Sequence, residues 1–470
     1  MKQKLRKFQE FAEGLLPHET GWLVTIHQFT DPEKIAILER LDHNSRLIHH
    51  PLPFDESIDK RKYSYIISWV GERLATIDVD HQFRLLVHLE EQIATDGIQP
   101  EEERQLSRIL KDTDHRSYNF SKIYELARQY RHFLLIRMRY RQHIEVDEFL
   151  RTHRAHYDHS RDIGDKIHYA TQDIVKQYAG SPAESIQWER WLTDVFTDDQ
   201  IDGANRYMAL VRLTFLYFNY KQFEPLREKF DRYDKLLSQG VYYSRRLLIN
   251  YYSNRLLLHN FCGEYDQAIW YGYLSIREKN TDYIHYVNTL SGVLLRQHLH
   301  EQALAVMRKA YPELKTSISF HNRLVFVSFY LRALHANGLL ANAENYAESF
   351  LRAYSQEIFD HRWHLFFTVF FDILLHRDKT ARLVRLARKY RLVQRETEYV
   401  DRTGSHPYLY WQYTLAAFIE MKITRATLEK MVAHLPASDE AASGPGLQAF
   451  LVHLKRLAPD ATRGHREAHG

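Results

Sequence analysis

Between Thr152 and His159 the sequence reads THRAHYDH, the densest cluster in a chain with 28 histidines. Two arginines each stand five positions ahead of a histidine there: Arg151 before His156, and Arg154 before His159. Such a pair could cleave a phosphodiester, with imidazole moving a proton and guanidinium neutralising charge on phosphate. His153, His156 and Asp158 could also reach a metal, but only with ligands from elsewhere in the chain. No metal and no cofactor are therefore assigned. In so arginine- and histidine-rich a chain the spacing also arises by chance, and a solvated helix face is the simpler expectation.

The second set is basic. From Arg377 to Arg395 the cations face a single acid, Asp378. On a helix, Leu383, Leu386, Tyr390 and Val393 gather on one side. Arg382, Arg385, Arg388 and Lys389 then fan over the other. A one-signed face can bind phosphate, anionic lipid or an acidic protein. The simpler reading is a solvated face beside acidic neighbours. Arg128, Arg131, Arg137, Arg139 and Arg141 form a similar run, expected to pair internally or to lay their stems along apolar surface. The sequence holds no phosphate-binding G-x-x-x-x-G-K-[ST] or G-x-G-x-x-G, no H-E-x-x-H and no G-x-S-x-G. The common enzyme signatures are missing, so catalysis is not the favoured reading.

The elements that must position these residues are helical. Lys4 to Leu16 puts Leu5, Phe8, Phe11, Ala12, Leu15 and Leu16 on one face. Asp31-Pro32-Glu33 is a strong helix start, with a capping Asp, Pro in the first turn and an acid beside it. Leu47 to Ile58 holds two prolines and predicts a loop. Helices are predicted over Tyr63–Ile77, His81–Ala94 and Pro100–Lys111. Thr20 to Phe29 is strand-like in composition and is expected to be irregular or edge structure. From Tyr118 one long helix is expected to about His143, apolar almost all round and hence buried, with one or two more before Gly180. Gly180-Ser181-Pro182 is the expected seam after an N-terminal helical domain.

Beyond the seam the sequence repeats. Tyr252–Ile276, Val287–Tyr311 and Val327–Leu351 align without gaps. They share a small residue at Ala268, Ala303 and Ala343, and a turn position at Gly263, His298 and Gly338. Two antiparallel helices approach closely only where one presents a small side chain, and each pair leaves an apolar face for the next pair to cover. Gly263, Tyr265, Ala268 and Ile269 fit the G-x-Y-x-x-A-I core of the tetratricopeptide repeat, and the three segments resemble that family. The resemblance implies an α-solenoid whose groove is lined by Ser253, Asn260, His285, Asn288, Arg296, Ser328, Arg332 and His335. A peptide or protein partner of acidic character would suit such a lining, unless the chain's own N-terminal helices fill it. Weaker units are expected over Arg206–Leu236, His361–Val393 and Pro407–Leu435. The Arg151/His156 spacing separately resembles the R-x4-6-H motif of HEPN-type RNases, which implies RNA cleavage without a metal.

Composition bounds these readings. Only 17 glycines and 12 prolines are too few for an all-β chain with a turn every ten residues or so. The 44% hydrophobic residues can build a core. With 64 basic against 60 acidic residues the net charge is +4, which lacks the strong basicity of a nucleic-acid-binding domain. One cysteine, Cys262, excludes a disulfide framework within the chain. The apolar run Leu365–Leu375 contains Asp372 and is half a membrane span in length. The expectation is an all-α cytoplasmic protein with a helical domain at 1–180, TPR-like repeats at 181–435, and a linker, capping helix and disordered tail at 436–470. Its leading function is a protein-interaction scaffold or regulatory subunit. The competing one is an RNA-binding protein or HEPN-like RNase using Arg151 and His156.

Overall fold

Asp31 accepts a hydrogen bond from the Glu33 amide at 3.0 Å, and the helix it caps starts at Pro32 as its sequence requires. Starts of this quality recur along the chain. In the computed structural model, which describes residues 5–178, 184–436 and 445–462, every regular element is a helix. The chain divides into two units, Met1–Glu278 and Lys279–Gly470. That division falls inside the repeating segment. The seam at 180–182, most of the linker and most of the tail lie outside the described residues.

The first unit runs α1 (Arg6–Gly14), α2 (Pro17–Ile26), α3 (Pro32–Arg46), α4 (Lys60–Ile77), α5 (Val79–Ala94), α6 (Pro100–Asp112), α7 (Phe120–Ile136) and α8 (Tyr140–Tyr178). It continues with α9 (Glu189–Thr197), α10 (Gly203–Tyr220), α11 (Phe223–Ser238), α12 (Arg245–Phe261) and α13 (Tyr265–Ser275). Phe8, Leu41, Tyr63 and Ile66 belong to one core, between α1, α3 and α4. Leu89, Leu106, Tyr130 and Val146 belong to another, joining α5 to α8.

Two expectations fail in this unit. Thr20–Phe29 is not irregular: most of it is α2, started by Pro17 in the first turn and by Glu19, whose carboxylate accepts the Leu16 amide at 2.8 Å. Helix-start chemistry overrides the β-branched composition. Nor does the helix from Tyr118 run to His143, because the chain breaks at Met138, which takes a left-handed φ of 56°. Its apolar end is exposed rather than central: Ile136 is 76% and Met138 72% accessible. Past the break, α8 runs 39 residues without interruption, straight through Gly164. Within this stretch Arg131, Arg137 and Arg139 pair internally. Arg131 meets Asp147 at 2.9 Å, Arg139 meets Glu103, and Arg137 pairs with Asp96 at 2.6 Å while stacking on Phe133.

The second unit contains α14 (Tyr283–Arg296), α15 (His300–Leu314), α16 (Phe320–Ala336), α17 (Leu340–Ala353), α18 (Ser355–Asp360) and α19 (Trp363–His376). After them come α20 (Thr380–Lys389), α21 (Leu392–Thr403), α22 (Tyr408–Ile419), α23 (Arg425–Val432) and α24 (Pro445–Leu457). Here α14, α16, α19, α22 and α24 pack against one another in that order. In the two units Ala268, Ala303 and Ala343 are all fully buried, the small-residue condition for close helix approach.

The turns of the helix pairs share one geometry. Lys221, Gly263, His298, Gly338, Asp378 and Met421 all have φ between 54° and 77°. The next amide in each case returns to the helix it has just left, as Leu339 N does to Leu334 O and Lys422 N to Ala417 O. This is the Schellman closure, which satisfies carbonyls at the helix end.

Candidate functional site

The most informative element is α19, WHLFFTVFFDILLH. Phe366, Phe367, Phe370 and Phe371 are fully buried, each stabilising the fold by about 1.5–3 kcal/mol. At four-residue steps the same helix carries His364, Thr368, Asp372 and His376, all half-buried. Residues four apart lie on one face, so a single polar row runs along an otherwise apolar helix.

Neighbouring helices meet that row with complementary groups. At its start, Glu396 of α21 is fully buried. It holds His364 Nε2 at 2.6 Å and accepts the Leu409 and Tyr410 amides at 2.8 and 2.6 Å. His364 also stacks on Tyr399, with ring centroids 4.5 Å apart. Above this floor opens a cleft of about 560 Å3 whose lining includes Arg332, His361, Arg362, Trp363, Tyr399, Arg402 and Tyr408. Among the described residues lining it, none is acidic. Arg362 and Arg402 are exposed and form no salt bridge among the described residues. Burial lowers the pKa of the Arg332 guanidinium, with Asp372 acting against that shift.

At the other end, three imidazoles surround one carboxylate. Asp372 takes His335 Nδ1 at 3.1 Å and His453 Nε2, from α24, at 2.7 Å. His376 Nδ1 lies 3.8 Å from the same carboxylate and 3.0 Å from the Asp372 carbonyl oxygen. Burial pushes the Asp372 carboxyl up, but the hydrogen bonds from His335 and His453 outweigh it and hold the pKa below the usual carboxylate range. Burial lowers the pKa of His376, against the pull of Asp372.

No protein-family model matches the chain, and neither a curated protein nor a solved structure matches it.

The groove residues named from the sequence separate into two groups. Ser253, Asn260, Asn288 and Ser328 are buried in helix packing. Asn288 donates to Asn322 O at 2.9 Å, and Ser328 to Leu324 O at 2.9 Å. They hold the fold and are not open to a partner, a correction to their assignment as lining. His285 and Arg296 are exposed. Arg332 lines the cleft, and His335 belongs to the histidine–aspartate cluster. In the first unit the chain's own N-terminus covers the face around Tyr252: His18 of α2 lies 2.7 Å from the Tyr252 hydroxyl and 2.9 Å from Asp234.

The other candidates are not assembled. Arg151 pairs with Asp147 at 3.3 Å, while His156 stacks on His115 at 4.0 Å. Five residues turn a helix by about 500°, so the two side chains point apart. On α20, Arg382 pairs with Glu348 at 3.2 Å, and the flanking Arg377 takes Glu344 at 2.7 Å. Arg385, Arg388 and Lys389 are exposed. Asp372, His376, His453, Glu396 and Arg402 entered no sequence assignment. The signal that could have found the first two was the Asp-x-x-x-His step breaking an apolar run.

Proposed function

We propose that the protein is a cytoplasmic interaction module, a scaffold or regulatory subunit that seats an acidic segment of a protein partner in the cleft beside α19. The observation carrying this reading is the set of three arginines, Arg332, Arg362 and Arg402, around a cleft with no acid among its described lining residues. Guanidinium binds carboxylate in a two-pronged geometry, and Trp363, Tyr399 and Tyr408 supply rigid contact area for the flanking residues of a peptide. The near-balanced net charge of +4 favours a local acidic motif over a long polyanion. The repeated left-handed turns and the buried alanines support a divergent TPR-like solenoid as the scaffold.

Fluorescence anisotropy with labelled peptides tests it. A Glu/Asp-rich peptide should bind the full-length chain, and added salt should weaken the binding. The double variant Arg362→Gln/Arg402→Gln should lose about tenfold per charge-assisted hydrogen bond removed. A neutral peptide should not bind. Binding of single-stranded RNA in place of the acidic peptide, or unchanged affinity in the double variant, would overturn the reading.

A further inference from the structure

We propose that His335, Asp372 and His376 bind one divalent transition-metal ion, Zn2+ by the chemistry of the set, with His453 as the positioning residue for Asp372. The site is independent of the peptide reading. Its ligands are two imidazoles and a carboxylate, the donor types zinc takes. Their ligand atoms all lie within 4.8 Å of one another, and His335 Nδ1 and Asp372 Oδ2 are 3.1 Å apart. Tetrahedral zinc with bonds of 2.0–2.1 Å spaces its ligands by about 3.3 Å, so side-chain adjustments suffice and no helix has to move.

The carbonyl of Asp372 fixes the tautomer of His376. Its Nδ1 lies 3.0 Å from the Asp372 carbonyl oxygen, which can only accept, so Nδ1 carries the hydrogen and Nε2 is left with a lone pair. A ligating histidine whose other nitrogen donates to a backbone carbonyl is the usual supporting arrangement in metal sites. Asp372 and His376 sit one turn apart on α19, a helix fixed by its four buried phenylalanines. His335 comes from α16, packed directly beside it. Rigid elements thus hold all three ligands.

His453 supplies an independent observation. Its side chain is fully buried and its Nε2 donates to Asp372 at 2.7 Å. Its Nδ1 has no partner among the described residues. Its ring stands 4.1 Å from that of His376, and the His335 ring is 4.2 Å from His376 on the other contact. Three imidazoles and one carboxylate thus meet at one point, and a dication can bind there by taking the place of the proton that now bridges His335 and Asp372. The three ligands are only half-buried, which gives an ion a way in and leaves a fourth position for water.

The test is metal binding by the chelator-treated full-length protein. Co2+ should give the visible absorption of a tetrahedral complex, Zn2+ should displace it, and elemental analysis should find one ion per chain. Asp372→Asn, close in shape to the native residue, should abolish the stoichiometric ion, as should His376→Ala. Circular dichroism checks that both variants are folded, and Asp372→Asn carries the test if His376→Ala is not. His453→Ala should keep the stoichiometry and weaken affinity about 10- to 100-fold, as loss of a supporting hydrogen bond does. His434→Ala, on the exposed end of the unit, should bind like the wild type. The proposal fails if the wild type retains no stoichiometric ion, if folded Asp372→Asn keeps one, or if His434→Ala loses it.

Discussion

Glu396 ties two elements together. Its buried carboxylate closes the amide end of α22 and fixes His364 beneath the cleft. Glu396→Ala would leave two amides and an imidazole without their acceptor in a dry site. The expected cost is about 3 to 5 kcal/mol, read as a lower denaturation midpoint, and a change below about 1 kcal/mol would mean that water replaces the carboxylate. Legibility was lowest at this scale. Arg332 and His335 could be chosen because a repeat alignment assigns groove positions one residue at a time. Their partners could not, since Asp372 and His453 meet His335 only after α16, α19 and α24 have packed, and Glu396 reaches His364 only once α21 has. Asp372 did stand out in its apolar run, but as a mark against a membrane span rather than as half of a site.

At the scale of elements, the sequence reading was strongest where helix starts and stops are chemical. Asp31-Pro32 and Pro100 gave their helices to within a residue or two. It failed where the signal was a backbone conformation without a matching residue. Of the six hairpin turns described above, Gly263 and Gly338 announce the left-handed residue; Lys221, His298, Asp378 and Met421 do so in disguise, and Met138 breaks α7 from α8 the same way. This predicts opposite effects from two substitutions. Gly338→Ala, with open space around its Cβ, should destabilise by about 1 kcal/mol through φ alone. Met421→Gly removes a side chain that is 91% exposed from a strained φ of 54°, and should stabilise by about 0.5 to 1 kcal/mol. Chemical denaturation of the pair checks both signs. Equal destabilisation by the two would show that the Met421 side chain contributes packing after all.

For the molecule as a whole, composition excluded an all-β chain and helical periodicity made the all-α class legible, and no helix among the described residues is long and apolar enough to cross a membrane. The division after Glu278 was not legible, because it falls between two helix pairs of similar sequence pattern. Both units carry histidines whose pKa is lowered chiefly by burial: His153 and His259 in the first, His300 and His321 in the second. A histidine with a lowered folded pKa is protonated first in the unfolded chain. Its contribution is therefore complete above the unfolded value of 6.5 and is lost as pH falls through the folded value. The melting temperature should drop between about pH 7.5 and about pH 5.5, and His259→Gln should flatten part of that slope. A melting temperature constant over this range would contradict the shifts.

The central claim is that the cleft beside α19 receives an acidic segment, and hydrogen–deuterium exchange of the full-length protein with a Glu/Asp-rich peptide addresses it most directly. The account predicts slower exchange in Ser328–His335, His361–Thr368 and Tyr399–Tyr408, absent in Arg362→Gln/Arg402→Gln. Protection confined to Arg382–Lys389, or none at saturating peptide, would contradict it.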